Sequence, residues 1–288
     1  MSGPAPRVET SEPVHQHLWQ SVVHEVVSVR RGFGNWLPLL AAIALGRWRG
    51  RPPRLQMHVR HGPTLHTPAG DRSWWTAVEC FGRDCYRLGA ADLPSAPVVL
   101  DIGANIGAFS LAVLAVRPAA TITAYEPSPG ALAVLRSNIT ANHAEDRVSV
   151  HGSAVTGPPG PDTVWLNERE GDLCTSSVLD RSGVVGARTH RVEVPACSLS
   201  TVLSSHLGDI DFLKMDVEGA EYGIIEATPV DLLAKVRRMA VEYHHVPGRH
   251  VHELAAYLQA AGFDWERQEH SVLPGQGLSW WARQAVRG

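Results

Sequence analysis

Residues 98–107, V-V-L-D-I-G-A-N-I-G, form an apolar run that closes on two glycines. A second apolar run, T-I-T-A-Y at 121–125, closes on Glu126 nineteen residues after Gly107. Short apolar runs bounded by glycine read as buried strands. Two of them joined by a helix-length connection commit the chain to a parallel sheet, because parallel neighbours need a crossover to return to the same edge. Sheets of this kind put their ligands beyond the strand C-termini, and an acid at the end of the second strand can accept hydrogen bonds from both hydroxyls of a ribose. A nucleoside pocket is therefore expected above residues 102–107 and 126.

The glycine spacing narrows the nucleoside. A pyrophosphate at a helix N-terminus calls for G-x-G-x-x-G, and here the pattern is instead D-x-G-x-x-x-G, with Asp101 on the strand and glycines at 103 and 107. That suits a cofactor without phosphates, and S-adenosyl-L-methionine is the candidate. Its amino-acid end would meet the turn formed by Asp101, Gly103, Ala104, Asn105 and Gly107, its ribose Glu126, and its adenine the small residues Ser153 and Ala154 that end the third strand. The bland alternative is that the two glycines only shape a turn, that Asp101 makes a buried strand-end hydrogen bond, and that Glu126 is solvated.

After Pro97 the alternation of strands and helices is regular, as an α/β sheet covered on both faces requires. Strands are expected at 98–102, 121–126, 148–152, 210–215, 236–243, 263–268 and 278–284, and helices at 106–116, 129–142, 219–227 and 250–261. The insertion at about 156–196 alternates like a hairpin in T-V-W-L-N at 163–167 and R-V-E-V at 191–194, and its Gly, Ser and Asp content suits a flap over the pocket or an ordinary surface loop. Before the sheet, residues 1–54 read as an extension with a disordered start and two helices split by Gly32 and Gly34, and residues 55–92 as a small β-meander. Residues 93–288 form the cofactor-binding domain. The apolar stretch 36–45, followed by Arg47, Arg49 and Arg51, is too short to span a bilayer of ~30 Å, so it is a surface anchor or a buried or interface helix.

A formal net charge of −3 gives no electrostatic reason to expect a nucleic-acid partner. The four cysteines contain no C-x-x-C pair, which argues against a zinc site and for reduced thiols in a cytoplasmic protein. The N-terminus lacks the basic-then-apolar order of a secretory signal, and export is not expected.

Two further stretches carry chemistry. In I-D-F-L-K-M-D-V-E-G-A-E at 210–221 an apolar strand ends in Asp216, and Glu218, Gly219 and Glu221 open a helix. In M-A-V-E-Y-H-H at 239–245 an acid, Glu242, and two imidazoles close the next strand. Adjacent strands would bring Asp216 and Glu242 to one rim. Lys214 shares the face of Asp216 and is either paired within the site or solvated.

Together, D-I-G-A-N-I-G at 101–107 with E-P at 126–127, L-K-M-D-V-E-G-A-E at 213–221 and V-E-Y-H at 241–244 resemble the FkbM-type S-adenosylmethionine-dependent methyltransferases, over roughly residues 75–268. The resemblance implies a class I methyltransferase fold (Rossmann-like, seven strands, mostly parallel) and methylation of a hydroxyl on a saccharide or polyketide-like natural product. Two arrangements could activate that hydroxyl. In the first, His244 is the base, because an unperturbed imidazole is largely neutral at cytosolic pH, with Asp216 and Glu242 beside it and Glu242 orienting the ring if a turn allows. In the second, Asp216, Glu218 and Glu242 hold magnesium. The first is preferred, since no spacing fixes a metal geometry. Glu218 and Glu221 otherwise serve a helix N-terminus. The competing functions are a non-catalytic methyltransferase-like binding module, with the N-terminal helices as its interaction or homo-oligomer surface, and a nicotinamide-dependent oxidoreductase, which the glycine spacing disfavours.

Overall fold

The computed structural model of the chain describes residues 14–51, 53–158, 160–169, 172–178, 189–270 and 276–283. Its centre is a seven-stranded sheet of β1 (Val98–Ile102), β2 (Thr121–Tyr125), β3 (Val148–His151), β4 (Phe212–Met215), β5 (Arg238–Tyr243), β6 (Phe263–His270) and β7 (Gly277–Arg283), in the spatial order β6-β7-β5-β4-β1-β2-β3. Strands β3 to β5 along that order run parallel, and β7 pairs antiparallel with both β5 and β6. The four residues of β4 are all buried, as strands covered on both faces must be. This is the α/β architecture expected from the alternation. The chain builds outward from β1 through β2 to β3 and then returns to the other side of β1 as β4, so the topological switch lies between β1 and β4.

Two helices entered from the pocket side fix the strand ends. The helix Ala108–Val116 follows Gly107, whose φ of +85° turns the chain into it. The helix Pro129–Ala141 starts on Ser128, whose hydroxyl accepts from the Ala131 N–H, with Pro129 in the first turn where no donor is needed. The insertion after β3 forms a separate four-stranded sheet, in which Thr163–Arg169 pairs antiparallel with Thr189–Ser198 and with Asp172–Ser177, and Ala154–Thr156 runs parallel to Thr189–Ser198.

At the N-terminus lie α1 (Val14–Gly32) and α2 (Trp36–Arg49). The expected meander is only in part a sheet. Leu55–His58 and Thr64–Thr67 form an antiparallel hairpin, but Trp74–Ala77 is a turn of α-helix that runs into a π-helical turn at Val78–Gly82. Gly32 and Gly82 explain the difference: a Cβ on Gly32 would lie 2.9 Å from the backbone of Gly82, and one on Gly82 would lie 2.4 Å from the Ser28 carbonyl oxygen. Close helix packing, invisible to local periodicity, sets this segment. Val29, Phe33, Leu39 and Ile43 join the same buried cluster as Val99, Phe109 and Ile122 of the sheet layer. Among the described residues no helix is long and apolar enough to cross a membrane.

Candidate active site

At the switch point a pocket of about 580 Å³ opens beyond β1, β2 and β4, lined by Gly103, Asn105, Glu126, Ser153, Ala154 and Asp216 among others. Gly103 and Ala104 donate from their backbone nitrogens to the Tyr125 carbonyl, which ties the turn to the end of β2. Gly103 is irreplaceable on steric grounds: a Cβ there would stand 1.7 Å from the Asp216 carbonyl oxygen. Gly107 packs its bare Cα toward Leu135, which a Cβ would meet at 2.6 Å. Ala104 and Gly107 shape the turn and do not themselves line the pocket.

Glu126 is buried, with one carboxylate oxygen accepting from the Asn105 N–H at 2.7 Å and the other from the Ser128 N–H at 2.8 Å. Burial pushes its pKa up to about 7, against the pull of those two backbone donors. Its carboxylate is thus fixed in direction at the pocket wall and retains acceptor capacity on both oxygens.

Asp101, expected to support the glycine turn or meet the cofactor's amino group, lies beneath the turn and does not line the pocket. Its side chain points into the sheet–helix layer, where Oδ2 accepts from Ser110 Oγ at 2.7 Å and Oδ1 lies 3.5 Å from Lys214 Nζ. The register of β1 against β4, Asp101 opposite Lys214, dictates that pairing. Lys214 is buried and not solvated. Its ammonium donates to the Gly103 carbonyl at 2.5 Å and lies 3.7 Å from Asp216 Oδ2. Burial works against its charge, but Asp101, Asp216 and Glu242 outweigh it and hold the lysine protonated above its ordinary range. Burial also raises the pKa of Asp101, with Lys214 and Ser110 opposing.

Past the ends of β4 and β5 the structure gathers Asp216, Glu218, Glu221 and His244. The His244 ring is buried, with Nδ1 2.5 Å from Glu221 Oε1 and Nε2 3.6 Å from Glu218 Oε2 and 3.9 Å from Asp216 Oδ1. Burial opposes its charge, but Glu221, Glu218 and Asp216 together push its pKa up to about 10. Two expectations change as a result. The imidazole is protonated at neutral pH, not a ready base, and Glu221, not Glu242, orients it. Alternation along β5 puts Glu242 and the buried Tyr243 on opposite faces, and His244, just past the strand end, meets Glu221 at the start of its helix.

Glu242 instead sits near Asp216 and Glu79. Burial pushes it well above the usual carboxylate range, and the charges of Asp216 and Glu79 add to this. Glu79 accepts from the Trp75 indole N–H at 2.8 Å, and burial lifts it to about 7. Among the described residues, the group whose donor atoms lie within 4.8 Å of one another, close enough to share a metal ion, is Asp216, Glu218 and His244. The set expected for magnesium, Asp216, Glu218 and Glu242, is therefore corrected at its third member, and an imidazole suits a borderline cation better than magnesium.

Two contributors take their place only in the tertiary structure. Leu166 and Val178 of the insertion reach the pocket wall, and the insertion is held there by Ser128 Oγ donating to Glu168 at 2.5 Å and Ser177 Oγ donating to the Glu218 carbonyl at 2.8 Å. Asn138 and Asn142 lock the hairpin to the turn: Asn138 accepts from the His66 N–H and donates to the Ile106 carbonyl, and Asn142 exchanges two hydrogen bonds with the backbone of Thr64.

Comparison with known proteins identifies the family. The family model described as the methyltransferase FkbM domain matches residues 101–265. Methyltransferase sdnD of Sordaria araneosa is 32% identical over 223 residues, which cover 69% of this chain and 85% of that protein. The 31-O-demethyl-FK506 methyltransferase FkbM of Streptomyces tacrolimicus is 26% identical over 257 residues, 81% of this chain and 97% of that protein. A solved methyltransferase FkbM from Methylobacillus flagellatus superposes with a TM-score of 0.47 at 14% identity, over 73% of this chain and 53% of that one. The chain belongs to the FkbM methyltransferase family, and its seven-stranded sheet is the class I methyltransferase fold.

Proposed function

We propose that this methyltransferase transfers a methyl group from S-adenosyl-L-methionine to a hydroxyl of a small acceptor, a saccharide or a polyketide-like natural product. The observation that carries the reading is Glu126: a buried, direction-fixed carboxylate on the wall of a pocket floored by the glycine turn, the position from which an acid can take both ribose hydroxyls. The residues present fit the cofactor. Gly103 leaves the backbone bare where a side chain would collide with Asp216, and Ser153 and Ala154 offer small side chains where an adenine would lie. The name of the Streptomyces relative, which gives an O-demethylated FK506 as its acceptor, supports a hydroxyl on a natural product.

When bound, the cofactor supplies an electrophilic methyl on a sulfonium. The chain's own residues then have to align the acceptor and take its proton. Alignment can account for up to ~7–11 kcal/mol of such a barrier. Asp216 faces the pocket and is the carboxylate we assign to the acceptor hydroxyl. Protonated His244, held by Glu221, offsets part of the negative charge of Asp216 and Glu218, and Lys214 offsets more of it at Asp216. Glu242 and Glu79 lie near enough to Asp216 to feel its charge, and burial raises the pKa of both.

Titration calorimetry with S-adenosylhomocysteine tests the cofactor, and Glu126→Ala should weaken binding by ~1.5–3 kcal/mol. Unchanged affinity would remove the ribose role, and absence of binding by the folded wild type would remove the cofactor itself. Turnover on an accepted substrate should survive exhaustive chelation. Loss of activity restored by an added divalent cation would instead put that cation among Asp216, Glu218 and His244.

A further inference from the structure

We propose that α1 and α2 form a docking surface for an anionic lipid membrane, with α2 lying in the plane of the interface. Helix α2 is apolar on two sides. Leu39 and Ile43 point into the core, whereas Leu37, Ala41, Leu45 and Trp48, at helical spacing i, i+4, i+8 and i+11, form an outward stripe. Leu37 is 62% exposed and Trp48 81%, unusually open for side chains of their size. On α1, Val22, Val23, Val26 and Val27 are exposed as well. A helix that is apolar all round belongs in a core or against a second apolar phase, and here the described residues cover only one side.

Charge identifies the occupant. Residues 14–54 carry six arginines, at 30, 31, 47, 49, 51 and 54, and a single acid, Glu25, which is buried and bound to Arg47. All six are exposed. The whole chain has a formal net charge of −3, so this segment is net positive while the remainder is net negative. Arginine around exposed Trp, Leu and Val is the composition of an interfacial helix on an anionic leaflet, with the tryptophan at headgroup level. A second copy of the chain fits less well, because a two-fold contact would set this arginine rim against its own image. Nucleic acid would leave the apolar stripe uncovered. At 14 residues, about 21 Å, α2 is too short to cross the bilayer and lies on it instead.

Flotation of the full-length protein with vesicles tests the assignment. The protein should float with vesicles of mixed phosphatidylglycerol and phosphatidylcholine, stay behind with phosphatidylcholine alone, and dissociate as salt is raised. The double substitution Leu37→Ser with Trp48→Ser should lower the bound fraction about tenfold while leaving the melting temperature and S-adenosylhomocysteine binding unchanged, as should Arg49→Glu with Arg51→Glu. Failure to float with anionic vesicles, or flotation indifferent to both variants, overturns the proposal. So does a dimer in sedimentation that Leu37→Ser with Trp48→Ser dissolves when no vesicle binding is seen, since the face then belongs to a second copy. Polyanion binding that the serine variant leaves intact, without vesicle binding, assigns the arginines to nucleic acid.

Discussion

At the scale of single residues, His244 shows how far packing moves chemistry from its solution value. An imidazole placed among Glu221, Glu218 and Asp216 has its pKa pushed up to about 10. A group whose folded pKa is raised stabilises the fold fully below its unfolded pKa, ~6.5 for histidine, and loses that contribution as pH rises through the folded value. The melting temperature should therefore fall between pH 7 and about pH 10 in the wild type, and His244→Gln should be less stable at pH 7 but flatter across the same interval. Parallel profiles for the two proteins would show that the ring is not charged in the fold. Lys214 follows the same logic from the other side. Its buried ammonium is retained because Asp101, Asp216 and the Gly103 carbonyl surround it, so of the two expectations, paired within the site or solvated, the first holds, with the lysine as counter-charge beneath the glycine turn.

At the scale of elements, the pocket is made where several segments are pinned to one another. The turn 103–107 hangs from Tyr125, the hairpin Leu55–Thr67 is clamped to helix Pro129–Ala141 by Asn138 and Asn142, and the insertion is tied to Ser128 and to the loop at Glu218. Asn138 is fully buried and its amide serves the hairpin and the turn together. Asn138→Ala should cost ~1–3 kcal/mol for each backbone group left unpaired. The loss would be read by denaturant unfolding, with faster amide exchange at His66; exchange at His66 equal to the wild type would show the clamp to be incidental. Nothing in the sequence spacing ties 138 and 142 to 64 and 66, because these bonds run across about seventy residues of chain.

At the scale of the whole molecule, the N-terminal helices are part of the body that holds the site. Val29, Phe33, Leu39 and Ile43 share a buried cluster with β1, β2 and the helix Ala108–Val116, and α1 abuts the π-helical turn that carries Glu79. Removing residues 1–54 should expose that cluster and yield a protein that aggregates or melts well below the full chain. A truncated chain with unchanged melting temperature would show the extension to be an independent unit. If the outward face of the same helices meets a lipid surface, one small element serves the core on one side and a membrane on the other.

The sequence by itself determined the repeating pattern and the class of chemistry. The seven strands fall within a few residues of their expected positions, and the glycine turn, Glu126, Asp216 and the family resemblance follow from local residue order, because a buried strand and a tight turn need particular side chains next to one another. Tertiary structure alone decided the partners. Glu221 takes His244 because two strand ends and a helix N-terminus converge, Asp101 turns to Lys214 because of strand register, and residues 74–82 coil because two glycines let a helix approach. Protonation, and with it the division of labour among the carboxylates, depends on those contacts and on burial, which are properties of the assembled core and of no segment in isolation.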